Sequence, residues 1–311
     1  MRDRTCPLLV ITLFPIGHEP YNEERTRTLF RGGVSTLATR EFLLTPPMNR
    51  LVVGRDKSTL LDSLPHNFLL VHDETDIPLP KRRKVTHFDV SQHSFNPLKN
   101  ISYLRAREFV EVINAAFPEG QNTLTRRAAT TALLEWLLSK PQNLERFPRA
   151  SRDDVGLKDA GDKIQTLLLS PVLHRVLCNP TNVSFQGIVL ARINRAELGD
   201  FDAFILGNLL ISAYKGQVVI PDFGFYGRAH HTTLIRQNRL IAGVNFLDES
   251  PLKKQLLLIE DKIPSRCLPE DAETLASFVG LRPHTNEYND FVEECVRWRN
   301  LGASSHYSGC R

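Results

Sequence analysis

The chain has 311 residues, 41% of them hydrophobic, enough apolar material for one large domain or two ordinary ones, which excludes a wholly disordered polymer. Lys and Arg outnumber Asp and Glu by 39 to 35, a net charge of +4 that permits nucleic-acid binding without demanding it. The five cysteines (Cys6, Cys178, Cys267, Cys295 and Cys310) form no CxxC pair, so their spacing shows no zinc site, and their odd number suits free thiols in a reducing compartment.

Residues 1–48 carry no assignable periodicity. Their longest apolar stretch, CPLLVITLFPIG from Cys6, is too short to cross a bilayer and lacks a small-x-small cleavage pattern, which points to a buried strand in a cytoplasmic protein with no membrane segment. From Leu51 onward short β-rich runs alternate with helical patterns. RLVVG, NFLLVHD, KVTHFDV, GIVLARI, QVVIPD and AGVNFL each supply four to six mainly apolar or β-branched residues, the pattern of strands buried on both faces of a parallel sheet.

Between KVTHFDV and GIVLARI, about residues 100–180, the pattern is helical throughout. NISYLRAREFVEVINAAF opens on Asn100 as an expected N-cap, is apolar at Ile101, Leu104, Val112, Ile113 and Ala116, and stops at Pro118. TLTRRAATTALLEWLLSK follows and runs to Pro141; DKIQTLLL and SPVLHRVLC add two more helices, the last with Ser170 as cap and Pro171 at its first position. The second half then reads strand, helix (AELGDFDAFILGNLLISAY), strand, helix (HTTLIRQNRLI), strand. PEDAETLASFVG, ending on Gly280, and EYNDFVEECVRW close the chain ahead of a polar tail. The expected fold is α/β, a mostly parallel sheet flanked by helices with a helical insertion subdomain: an N-terminal segment 1–48, a core 49–262, and C-terminal helices with a tail 263–311.

In doubly wound sheets ligands gather beyond the carboxyl ends of the strands, and QVVIPD delivers a single carboxylate, Asp222, to that edge. RLVVG is followed by Arg55, Asp56, Lys57, Ser58 and Thr59 and then by a helical pattern. A phosphate loop of the form GxxxxGK[ST] wraps consecutive backbone N–H groups around the phosphates, with Lys on the outer ones and Ser or Thr on magnesium. Here Lys57, Ser58 and Thr59 are in place, but Asp56 replaces the Gly before Lys and Leu51 stands where the first Gly belongs.

RKVTHFDVSQHSFNPL (83–98), preceded by NFLLVHDETD and followed later by QVVIPDFGFY and LIRQNRLIAGVNFL, resembles the DNA-pumping P-loop ATPases of the HerA and FtsK class, especially the conjugative coupling proteins. The resemblance covers about residues 50–260 in element order and implies a P-loop NTPase-like fold, with ATP and Mg as cofactors, held by Gly54, Lys57, Ser58, Thr59 and Asp222. Ser58 and Asp222 would hold the metal, and Arg236 or Arg239 would reach the neighbour's phosphate across a homo-oligomeric ring around DNA. Asp56 aims a carboxylate at the phosphates and Phe223 removes a second acid, so the expected ATP hydrolysis is weak or lost. The alternative is a non-enzymatic scaffold or adaptor that binds nucleic acid or protein partners.

Lys81, Arg82, Arg83 and Lys84 are four consecutive cations ahead of a strand, suited to DNA phosphates, to a nuclear import signal, or to a solvated loop. Arg236 and Arg239, at i, i+3, share a helix face in this reading and equally suit ordinary pairing with Asp248 or Glu249; Arg228, Arg192 and Arg195 have the same ambiguity. His87, Asp89 and His93 are weak metal ligands, better read as hydrogen-bonded turn residues, and no GxSxG stretch points to nucleophilic catalysis.

Overall fold

Short runs of aliphatic and β-branched residues form the strands β1 (Arg50–Val53), β2 (Phe68–His72), β3 (Val85–Asp89), β4 (Ile188–Arg192), β5 (Gln217–Ile220) and β6 (Leu240–Val244), to which β7 (Asp261–Pro264) is added. The computed structural model describes residues 49–54, 60, 64–73, 84–117, 123–139, 141, 143–147, 155–227, 229, 231–237, 239–247, 253–259, 261–264 and 267–303. The strands make one sheet in the order β3-β4-β2-β5-β6-β1-β7, every pair parallel. All six expected strands are present; β6 starts at Leu240, two residues before the expected run, because Leu240 and Ile241 leave the helical pattern and enter the ladder. DKIP has no apolar run to announce β7. It is held by a nearly buried ion pair, Arg50 Nε to Asp261 Oδ2 at 2.6 Å, across paired positions of β1 and β7.

Side chains alternate between the faces of the sheet. Leu51 and Val53 join a large apolar cluster with the helices, while Val52, Phe68, Leu70, Val219, Ile241 and Ile263 join a smaller one on the opposite face, with Leu60. The steps β3 to β4, β4 to β5, β5 to β6 and β6 to β7 run one way along the sheet, and β1 to β2 and β2 to β3 run back. Right-handed crossovers put opposite steps on opposite faces, which is why Leu60 and Leu64, between β1 and β2, lie on the smaller cluster's side.

The helices are α1 (Tyr103–Ala116), α2 (Thr123–Leu138), α3 (Val155–Leu169), α4 (Pro171–Cys178), α5 (Arg195–Leu198), α6 (Asp200–Ala213), α7 (Phe223–Tyr226), α8 (His231–Arg236), α9 (Lys253–Leu256), α10 (Pro269–Phe278) and α11 (Asn286–Ala303). The N-cap of α1 is Ser102, whose hydroxyl accepts from Arg105 N, and not Asn100, which sits at φ 55° in the turn before it. Ser170 and Pro171 cap α4 as their spacing requires. The long helix expected at 196–214 is broken into α5 and α6 by Gly199 at φ 79°. α1 is pinned to α6 by the buried Glu108, which accepts from Ser212 Oγ (2.6 Å) and from Arg105 Nη1 (3.3 Å). No helix among the described residues is long and apolar enough to cross a membrane.

One backbone contact fixes the strand exits. A Cβ at Gly243 of β6 would lie 2.7 Å from Pro221 O and 2.8 Å from Leu60 Cδ1, so this position tolerates no side chain while the β5 exit and the Leu60 side chain stay in place. Gly243→Ala should lower the unfolding free energy by about 1–3 kcal/mol, the usual cost of overpacking. Urea titration measures it, and an unchanged midpoint would show that the contact yields freely.

Candidate functional site

Because the seven strands share one direction, all their carboxyl ends open on one rim. Ile220 of β5 is level with Ala242 of β6, and Ala242 with Leu51 of β1. Asp222 is thus two residues past the level at which Gly54 is three residues past, and the two lie on the same rim two strand spacings apart, about 10 Å. Gly54 closes β1 at φ 126°, a conformation that favours glycine, and its N–H donates to Val244 O at the end of β6 (2.8 Å). The connection out of β1 leaves to one face and those out of β5 and β6 to the other, the reversal that opens a crevice in sheets of this kind.

Asp222 ends the β5 exit as the N-cap of α7, its Oδ1 accepting from Phe225 N (3.2 Å). Its Oδ2 accepts from Arg195 Nη1 at 2.9 Å. Arg195 opens α5, just after β4, behind the Asn194 cap; it also donates through Nε to Asp200 Oδ1 (3.0 Å), and its guanidinium lies 3.9 Å from the centroid of the Phe225 ring. Burial works to lower its pKa, but hydrogen bonding and the charges of Asp200 and Asp222 outweigh it and hold the guanidinium above its ordinary value. Phe223 is fully buried, and next to it Tyr226 is 1% exposed with a hydroxyl that has no hydrogen-bond partner. Burial, with Asp73 at the end of β2, raises the pKa of that phenol.

The other residues singled out from the sequence are placed as follows. Lys57, Ser58, Thr59, Asp56, Lys81, Arg82, Arg83, Arg228, Asp248, Glu249 and residues 1–48 lie outside the described residues. Arg236 and Arg239 do not share a helix face: α8 ends at Arg236, and Arg239 is pulled into the approach to β6, where it donates to the carbonyls of Gly216 (2.9 Å) and Tyr214 and to Gln237 Oε1 (2.8 Å). Both are at the amino rim, since Ile235 O accepts from Asn49 at the start of β1, so a single chain does not bring them to Asp222. Lys84 is exposed at the same amino rim, where it lines an open cleft of ≈ 560 Å³ with His66, Asn67, Thr86 and Gln186. Asp89 accepts from Ser91 N (2.7 Å) and Oγ (2.6 Å), bonds that hold its carboxyl below the ordinary range, and its N–H donates to His93 Nδ1 (3.0 Å). His87 lies within β3, while Asp89 and His93 bracket a turn, continued by SFNPL, which is tied to residues 180–182 through Ser94 Oγ to Pro180 O (2.6 Å) and Asn96 N to Thr181 Oγ1 (2.9 Å).

The fit of magnesium to this rim turns on Asp222. Both carboxylate oxygens already accept protein donors, one from a guanidinium, so a divalent cation at Oδ2 would meet a positive charge 2.9 Å from its ligand atom. Asp222 as arranged does not suit a magnesium ion. Arg195 is the residue of this site that sequence pattern did not single out above the other arginines: its partner is 27 positions away at the exit of another strand, and its only signal is a cation opening the helix after a neighbouring strand.

No family model matches the chain, and no curated protein matches it. Among solved structures it is similar to VirB4 of Thermoanaerobacter pseudethanolicus, at 12% identity over 78% of this chain and 83% of that one, with a TM-score of 0.45.

Tyr226→Phe tests whether the rim uses the buried hydroxyl. Removing an unpartnered buried polar atom should leave stability unchanged or raise it by about 1 kcal/mol in urea titration. A loss of stability would mean that the hydroxyl has a partner.

Proposed function

We propose that the chain is a P-loop-ATPase-like α/β protein acting on DNA, in conjugation, packaging or segregation, whose ATP hydrolysis is weak or lost. What supports the fold half is the sharing of one carboxyl rim by Gly54, which leads into Lys57, Ser58 and Thr59, and Asp222, in the order that the resemblance requires. The observation that carries the functional half is the Arg195–Asp222 ion pair: the one acid at the rim position of a metal ligand is neutralised by a cation of the chain itself. With Asp56 opposing phosphate and Phe223 packed into the core where a second acid would stand, three separate features oppose hydrolysis.

For DNA, the supporting features are the run Lys81 to Lys84, which precedes β3 in the sequence, and the open cleft that Lys84 lines at the amino rim. If subunits assemble into a ring, contact between Arg236 or Arg239 and a neighbour's Asp222 requires a head-to-tail arrangement, amino rim against carboxyl rim. The same ion pair also favours the second reading, a scaffold that binds its partners without nucleotide.

A fluorescent ATP analogue titrated with and without magnesium should show no magnesium-dependent binding to the wild-type chain, and DNA should stimulate no phosphate release. A robust rate abolished by Lys57→Ala would overturn the proposal. DNA binding should weaken when Lys81, Arg82, Arg83 and Lys84 are changed together to Ala, with a shallower dependence on salt. Unchanged DNA affinity in that variant, alongside ATP-independent capture of a protein partner, would leave the scaffold reading.

A further inference from the structure

Apart from the Asp222 site, the 3-10 turn Leu144–Arg146 sets Glu145 against α4, where His174 and Cys178 stand one helical turn apart on the same face. A Glu145 oxygen, a His174 ring nitrogen and Cys178 Sγ all lie within 4.8 Å of one another, and Glu145 Oε1 is in hydrogen-bond contact with His174 Nε2. The turn is held from behind: Leu144 is buried, and the Phe147 ring meets Trp136 edge-on at 4.7 Å. Asn143 fixes the carboxylate itself, its Oδ1 accepting Glu145 N (2.9 Å) and its Nδ2 donating to Glu145 Oε2 (2.9 Å), which leaves Oε1 facing the imidazole and the thiol.

We propose that Glu145, His174 and Cys178 form a zinc site, supplying one oxygen, one nitrogen and one sulfur, with the fourth position open to water. Zinc accepts all three donor types in tetrahedral geometry, whereas magnesium and calcium require oxygen sets that this cluster lacks. Asn143 acts as an outer hydrogen-bond partner that orients the carboxylate, as such sites commonly have. Zinc takes cysteine as the thiolate, so binding exchanges one S–H bond for one Zn–S bond and releases that proton, while His174 gives up its contact with Glu145 and turns Nε2 to the metal. The site would clamp the 3-10 turn to α4, whose Arg175 bonds the carbonyls of Val90 and Ser91 in the turn after β3.

Cobalt(II) is the spectroscopic probe, added to the full reduced chain. One equivalent should give a near-ultraviolet thiolate-to-cobalt band with visible bands of four-coordinate intensity, and zinc should displace it with release of about one proton per site near neutral pH. Cys178→Ser should remove the near-ultraviolet band and Cys295→Ser should leave it. Asn143→Ala should weaken the affinity on the order of tenfold to a hundredfold. Zinc should also protect Cys178 of the wild-type chain from alkylation, read by mass spectrometry, a measurement that needs no variant to fold. Absence of the band, its survival in Cys178→Ser, or alkylation indifferent to zinc would overturn the site.

Discussion

Everything at the candidate site depends on the single polarity of the sheet. A parallel strand cannot be joined to its neighbour by a tight turn; each must be followed by a crossover, and the crossovers here bury both faces of the sheet. The strand ends then become the only places where backbone groups and polar side chains can gather without being sealed in the core. On the carboxyl side this collects Asp89, Arg192, Asp73, Asp222 and Gly54 along one line, and on the amino side Lys84, Arg50 and Arg239. The division between the rims is imposed by chain direction, whatever use is made of it.

Within that line the Arg195–Asp222 pair decides what the rim offers. Its side chains are 31% and 37% exposed, so the attraction itself contributes about 0.2–1 kcal/mol to stability. Its larger effect is on availability. Arg195 divides its donors between Asp200 and Asp222 while lying on the Phe225 ring, which fixes the guanidinium at three points and keeps it in front of the carboxylate. A newcomer of positive charge has to displace a held cation, whereas an anion meets a guanidinium already in position.

The fold was largely legible from the residues because the strands announce themselves twice, by apolar content and by the turn residues that bound them. β7 was not, since Asp261 and Lys262 look like loop residues and the strand is secured by Arg50, far away in sequence. The β6 boundary moved because Leu240 and Ile241 satisfy a helical period and a strand period equally well. At the site, the shared rim of Asp222 and Gly54 follows from parallel strands alone, but the neutralisation of Asp222 does not, because it pairs residues that follow different strands. Arg236 and Arg239 were readable as close in sequence; their place on the opposite rim follows from α8 ending at Arg236, just after Ile235, whose carbonyl bonds Asn49 at the start of β1. The Glu145, His174 and Cys178 cluster is half visible as an i, i+4 pair on a helix, and its third member is invisible without the fold.

The bare backbone at Gly243 has a mechanical meaning. Leu60, on the chain leaving β1, and Pro221, one residue before Asp222, both press on the same spot of β6 from different directions. In a close-packed interior neither can advance unless the other retreats. Leu60 and Pro221 thereby meet a common stop at Gly243, so the bare backbone of one residue sets how closely the β5 exit and the Leu60 side chain can both approach β6.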